Sequence, residues 1–144
     1  MNIKGQCLCG TIKFLATLKS LDVHACHCGV CRRQGGGCAS MTISLQDRAK
    51  IESGEDKLTT FKSSEWGERL FCSNCGTHLF VHAPAFNYFG VSAGALNDDD
   101  AEKMVLEAEL FIDKKPTFYA FAGERKRLTE EEFLASVSGG SKEE

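Results

Sequence analysis

The sequence predicts a mainly β fold of short antiparallel strands with a short C-terminal helix. Three observations predict it. Short runs that alternate polar and apolar residues recur along the chain. Glycine, asparagine and aspartate fall between those runs, as tight turns require. A helix-start signal stands near the end, in Leu128-Thr129-Glu130-Glu131-Glu132-Phe133-Leu134.

Taken in order, Gly10-Thr11-Ile12-Lys13-Phe14 reads as a half-buried strand. The run Gly35-Gly36-Gly37 reads as a turn or a close backbone approach. Ala39–Ile43 and Lys57–Phe61 are the next strand candidates. Trp66–Phe71 leads into the segment CSNCG, and Thr77–Ala83 follows it as another strand. Asn87–Ala93 and Glu109–Ile112 complete the set. Thr129 is the expected N-cap of the last helix. Glu132 completes a capping box, and Leu128 with Phe133 is the expected hydrophobic staple. The organisation expected is one zinc domain over residues 1–126, a helix over 127–138 and a loose tail over 139–144.

Composition narrows the function. A chain of 144 residues that is 42% hydrophobic, with ten Phe, supplies a core for one domain. The formal charge of −3 argues against nucleic acid and against an anionic membrane as partner. No apolar run approaches the length of a membrane span. No hydrophobic leader is evident in MNIKGQCLCG, so a cytoplasmic location is expected.

Eight cysteines then need a use other than disulfides. Their spacing is that of metal ligands: Cys7-x-Cys9, Cys26-x-Cys28-x-x-Cys31, Cys72-x-x-Cys75, and a separate Cys38. Cys7, Cys9, Cys72 and Cys75 form two thiol pairs, each followed at once by glycine (Gly10, Gly76). Four thiolates make the tetrahedral set of a structural zinc site. Cys26, Cys28 and Cys31 remain as a three-thiolate set, the ligand number of a catalytic zinc that keeps one position for water or substrate.

The fourth position has rival claimants in the sequence. Cys38, His24, His27, His78 and His82 are all candidates, and Cys38 would close a second four-thiolate site. His27 lies between two ligand cysteines, so its side chain is expected to point away from the metal. Seven thiolates on two zinc ions would move the formal charge from −3 to −6. Arg32 and Arg33, directly after Cys31, are placed to offset that charge or to grip a carboxylate. His78 and His82 are expected on one face of a strand, either lining a cleft or forming polar surface.

The residues from Gly5 to about Phe121 resemble the glutathione-dependent formaldehyde-activating enzyme family, also called the centromere-protein-V-like domain. The resemblance is carried by G-x-C-x-C-G at Gly5–Gly10, by H-x-C-x-C-x-x-C-R-x-x-x-G at His24–Gly36, and by F-C-x-x-C-G-x-x-L-F at Phe71–Phe80. Val91–Leu96 before an Asp cluster, and Ile112-Asp113-Lys114-Lys115-Pro116 with Phe118 and Tyr119 after it, resemble later parts of the family pattern.

The resemblance implies an Mss4-like β-tent with two zinc ions. It implies structural ligands at Cys7, Cys9, Cys72 and Cys75, and catalytic ones at Cys26, Cys28 and Cys31. It also implies a carbon–sulfur lyase that joins glutathione to formaldehyde. Arg32, Arg33 and His78 are then the expected contacts of the thiol co-substrate. The competing expectation is a zinc-stabilised binding module with a closed second site and no chemistry.

Overall fold

In a computed structural model, residues 1–143 are described, with side chains described through residue 138. The strands are β1 (Asn2–Gln6), β2 (Lys13–Cys26), β3 (Ser40–Leu45), β4 (Lys50–Ser53), β5 (Leu58–Lys62), β6 (Glu68–Cys72), β7 (His78–Ala83), β8 (Tyr88–Ser92), β9 (Val105–Leu110) and β10 (Lys126–Leu128). The helices are α1 (Gly29–Gly35), the single turn α2 (Asp98–Ala101) and α3 (Glu130–Glu143). The fold is therefore a mixed β/α one in which strands dominate. Its contacts divide the chain into two compact units, residues 1–22 with 42–105, and residues 23–41 with 106–144.

In the first unit, β3, β8, β7, β6 and β5 are neighbours in that order, all antiparallel. β1 and β4 pair with β2, also antiparallel, with Asn2 opposite Thr17 and Phe14 opposite Ile51. Along β2 the residues Phe14, Ala16 and Leu18 are buried at every second position, as period-two alternation demands. Phe14 and Phe80 are sealed from solvent and meet edge-to-face, ring centroids 4.9 Å apart. Ile12, Ile43, Leu79 and Val91 complete a dry apolar centre. Of the ten Phe, Phe14, Phe80 and Phe89 are buried, so the core draws on fewer of them than the composition suggests.

One alternation fails. The pairing of β6 with β7 shifts between Leu70 and Phe71, and Leu79 and Phe80 are both buried. Such a bulge inserts one residue and breaks the period. Even spacing therefore does not put His78 and His82 on one face as expected.

The second unit contains the far end of β2, the helix α1, and β9 paired in parallel with β10. Burial parity on β2 changes across the exposed Lys19, Ser20 and Leu21, after which Val23 and Ala25 are the inward residues. Continuing that parity sends His27 inward. Among the described residues of this unit the buried apolar side chains are small, namely Val23, Ala25, Ala39 and Ala108 with Cys31, and the two buried polar ones are His27 and Glu109.

The terminal helix starts as expected. Glu132 N–H donates to Thr129 Oγ1 at 3.1 Å, and Thr129 N–H donates to Glu132 Oε1 at 2.9 Å, the reciprocal bonds of a capping box. Phe133 packs on Phe111, centroids 5.6 Å apart, as its aromatic partner. The backbone of α3 continues into the segment expected as a tail, and Glu144 lies outside the described residues.

Candidate metal centres

The first centre is made by two tight turns of the first unit. After Cys7 and Cys9 the chain turns on Gly10, whose N–H donates to Cys7 O at 3.1 Å. After Cys72 and Cys75 it turns on Gly76, whose N–H donates to Cys72 O at 2.7 Å. Both glycines have positive φ, 78° and 81°, a region that a Cβ disfavours. The glycine after each thiol pair is thus a backbone requirement of the knuckle.

These turns bring the four sulfurs of Cys7, Cys9, Cys72 and Cys75 within 4.8 Å of one another. The Cys7–Cys9 separation is 3.6 Å and the Cys9–Cys72 separation 3.9 Å. A tetrahedron of sulfurs around zinc, with bonds of about 2.3 Å, has edges of about 3.8 Å. The donor set therefore fits zinc in type, number and spacing.

Hydrogen bonds to the sulfurs favour thiolates at the rim. Asn74 Nδ2 donates to Cys9 Sγ at 3.3 Å, and Thr11 Oγ1 lies 3.2 Å from it. Thr11 first, then Asn74, holds the Cys9 thiol down at about 5. Thr77 does the same for Cys75, to about 7. Burial pushes Cys72 up to about 11.

The second centre lies in the second unit. Cys26 ends β2, Cys28 is the N-cap of α1 and Cys31 sits in its first turn. The Cys28 Sγ accepts from Cys31 N–H at 3.5 Å, and the three sulfurs lie within 4.8 Å of one another. The helix was not legible in the sequence, because GVCRRQG carries glycine at both ends and reads as a metal loop. It ends on Gly36 in the left-handed region, φ 80°, with its N–H on Arg32 O. The three thiols share protons unevenly: contact with Cys26, then Cys31, lowers Cys28, and the reciprocal contacts raise Cys26.

Among the described residues no further His, Cys, Asp or Glu ligand atom joins these three. The residues competing for a fourth place are engaged elsewhere. Cys38 Sγ faces Ala39 O at 3.9 Å. His24 Nε2 is 2.9 Å from Glu107 Oε2, and His82 Nδ1 is 2.9 Å from Glu68 Oε1. His78, in the first unit, donates from Nε2 to Phe80 O at 3.0 Å. Burial first, then Arg69, lowers His78 to about 4, so it is neutral at pH 7.

The arginine doublet converges on the start of α1. Arg32 Nε donates to His27 O at 3.0 Å. A Cβ at Gly29 would stand 3.0 Å from Arg33 Nη1 and 3.8 Å from Arg32 Nη2. Both guanidinium groups therefore reach back along α1 to the residue that follows Cys28.

A network missed in the sequence underlies this loop. His27 is completely buried, with Nε2 2.8 Å from Glu109 Oε1 and Nδ1 2.8 Å from Tyr119 Oη. Arg125 Nη1 donates to Glu109 Oε2 at 2.7 Å, and Arg127 Nε donates to the same oxygen at 3.0 Å. Burial alone would raise the Glu109 carboxyl. The Arg125 and His27 hydrogen bonds and the Arg127 charge outweigh it and hold it below the usual carboxylate range. The one available signal was the place of His27 between two ligand cysteines, which pointed its ring away from the metal but named no partner.

The model of the family described as "Glutathione-dependent formaldehyde-activating enzyme" matches residues 2–114. The chain belongs to the glutathione-dependent formaldehyde-activating enzyme family. An uncharacterized lyase of Schizosaccharomyces pombe is 31% identical over 137 residues, covering 93% of this chain and 96% of its own. A crystal structure of a Rhodobacter sphaeroides protein, 23% identical, superposes with a TM-score of 0.58 over 71% of this chain and 97% of that one. At that identity the likeness speaks for the fold. Within the formaldehyde-activating family assignment, the two thiol clusters are consistent with two zinc sites of different completeness, four ligands and three. No helix among the described residues is long and apolar enough to cross a membrane.

Proposed function

We propose that this chain is a carbon–sulfur lyase that joins a small thiol, glutathione or a close analogue, to formaldehyde or a similar small aldehyde, and releases it again. The observation that carries this reading is the division of seven gathered thiols into a set of four and a set of three. A set of four satisfies zinc, whereas a set of three leaves a coordination position for substrate. The antiparallel sheets and their paired knuckles support the Mss4-like β-tent as the finer description of the fold.

Cys26, Cys28 and Cys31 would hold zinc, which when bound would supply a soft Lewis acid that keeps a sulfur anion available near neutral pH. The protein's own residues do the rest. Cys26, Cys28 and Cys31 fix the position at which the thiol sits. Three thiolates donate much charge, which favours holding and releasing a soft sulfur over strong polarisation of water. Arg32, anchored through Nε to His27 O, offers its terminal amino groups to a carboxylate of the thiol, and Arg33 joins it beside Gly29. In the forward direction a C–S bond forms, the carbonyl π bond breaks, and the proton lost by the thiol ends on the former carbonyl oxygen. The reverse direction returns each.

The test is a titration of cobalt(II)-substituted protein with glutathione. A shift in the metal absorption is expected, and it is expected to vanish in Cys31→Ser. A spectrum that glutathione leaves unchanged would overturn the reading.

A further inference from the structure

The strand β5 ends the sheet of the first unit. β6 pairs with one side of it, and among the described residues no strand pairs with the other. Its register with β6 is unbroken, from Leu58 opposite Cys72 to Lys62 opposite Glu68. The bonds just beyond each end of this pairing show which way its backbone groups turn. Ser73 N–H donates to Lys57 O at 2.8 Å, and Ser63 N–H donates to Gly67 O at 3.1 Å. Bonded pairs recur at every second residue of an antiparallel ladder. Thr59 with Phe71 and Phe61 with Arg69 are therefore the bonded pairs in between. Leu58, Thr60 and Lys62 turn their N–H and C=O groups out to the free side.

Edge strands are commonly blunted by proline, a bulge or a charge. The segment Leu58–Lys62 has no proline, its pairing has no shift, and its one charge stands at the end. Thr59, Thr60, Phe61 and Lys62 are all exposed, Phe61 by 63%. The segment is also complementary to itself. In an antiparallel pairing about Thr60, Leu58 stands opposite Lys62 of a second copy, and Thr60 stands opposite Thr60. These are the outward residues, so each such pair exchanges two backbone bonds. On the other face Thr59 meets Phe61 of the second copy, twice by symmetry. Aromatic with β-branched pairs and threonine pairs are stabilising cross-strand neighbours. The charges favour the same arrangement. Lys62 lies beside Leu58 of the second copy and is carried towards the two acidic residues that precede it, Glu55 and Asp56. A parallel pairing in register would set Lys62 beside Lys62.

We propose that the free edge of β5 is a docking surface for β5 of a second copy of this chain, paired antiparallel with Thr60 on the two-fold axis. Such a contact is isologous, so it closes at the dimer. It is also short, which makes the dimer a weak and concentration-dependent one.

The test is sedimentation velocity of full-length, zinc-loaded protein between about 10 μM and about 1 mM, where a monomer–dimer equilibrium is expected. Thr60→Pro removes the central outward N–H and leaves the ladder with β6 intact. It is expected to weaken association about tenfold or more, since each copy loses a donor. Thr60→Lys sets two like charges together on the axis and is expected to abolish the dimer over the same range. Equal zinc content and equal circular dichroism establish that both variants are folded. Amide hydrogen exchange adds a readout of which backbone groups pair. The Leu58, Thr60 and Lys62 amides of wild type are expected to slow as concentration rises, while those of Thr59 and Phe61, already held by β6, keep their rates. A wild type that stays monomeric at the highest concentration overturns the proposal. A dimer that either variant leaves intact, or slowing that does not follow this alternation, overturns it as well.

Discussion

His27 Nε2 and Glu109 Oε1 lie 2.8 Å apart, joined from positions 82 residues distant, with both side chains closed to solvent. The pair is the polar centre of a unit whose buried apolar residues are small. Its energetics are those of a buried charge cluster, in which removing one member leaves the others uncompensated.

Glu109→Ala is accordingly expected to cost about 3–5 kcal/mol of stability, because Arg125 and Arg127 both lose their shared acceptor. Chemical denaturation checks it. A loss below about 1 kcal/mol would mean that the two arginines find other partners at no cost.

Metal content separates the two centres. Wild-type protein is expected to hold two zinc ions, and Cys26→Ser one, with its strands intact by circular dichroism. The reason is that Cys7, Cys9, Cys72 and Cys75 bind within the first unit without the three-thiol loop. Cys72→Ser is expected to lose the other ion and to unfold at lower denaturant, since Cys72 is wholly buried and joins β6 to its knuckle. Elemental analysis of both variants, with denaturation curves, tests the division. Collapse of the fold in Cys26→Ser would refute it.

His78 gives a pH dependence with a definite sign. Its value falls from 6.5 in the unfolded chain to about 4 in the folded one, through burial and then Arg69. Above pH 6.5 both states are neutral there, and the full contribution is present. As the pH falls from 6.5 towards 4, the unfolded chain takes the proton first and stability drains away. His78→Gln keeps a donor for Phe80 O but removes the titration. The variant is expected to lose less stability than wild type between pH 7 and pH 4.5, measured by urea unfolding. The zinc ligands titrate alike in both proteins and cancel in the difference. Parallel pH slopes would exclude His78 as a source.

Phe14→Ala probes the apolar core of the first unit. Phe14 is fully buried against Phe80, so the expected cost is about 3–5 kcal/mol of lost burial and cavity. Thermal or chemical unfolding of metal-replete protein reads it.

Much of the candidate site was legible because zinc ligands have a local grammar. Cys7-x-Cys9, Cys72-x-x-Cys75 and Cys26-x-Cys28-x-x-Cys31 each place thiols on one turn, and the structure gathers the four and the three as that spacing suggests. The capping box at Thr129 and Glu132 was equally legible, being a contact between residues three apart. β2 runs on to Cys26, far past the expected end at Phe14. The other expected strands lie within a few residues of their places, but β1, β4 and β10 were not legible. Those strands are short, and pairing defines them more than pattern does. The bulge at Leu79 escaped notice for the same reason, since register belongs to two strands together.

The sequence by itself determined the chemistry of the donors: which cysteines pair, which glycines follow them, and which arginines stand beside the three-thiol loop. These are properties of neighbours along the chain, set by backbone reach and ligand type. Only the tertiary structure decided what lies behind the loop. It turned His27 inward by strand parity. It brought Glu109, Arg125 and Arg127 to one side of the ring and Tyr119 to the other, and it left Cys38 apart from the gathered thiols. Burial makes such a network specific, because a charge or an imidazole withdrawn from water must find its partner wherever the fold delivers one.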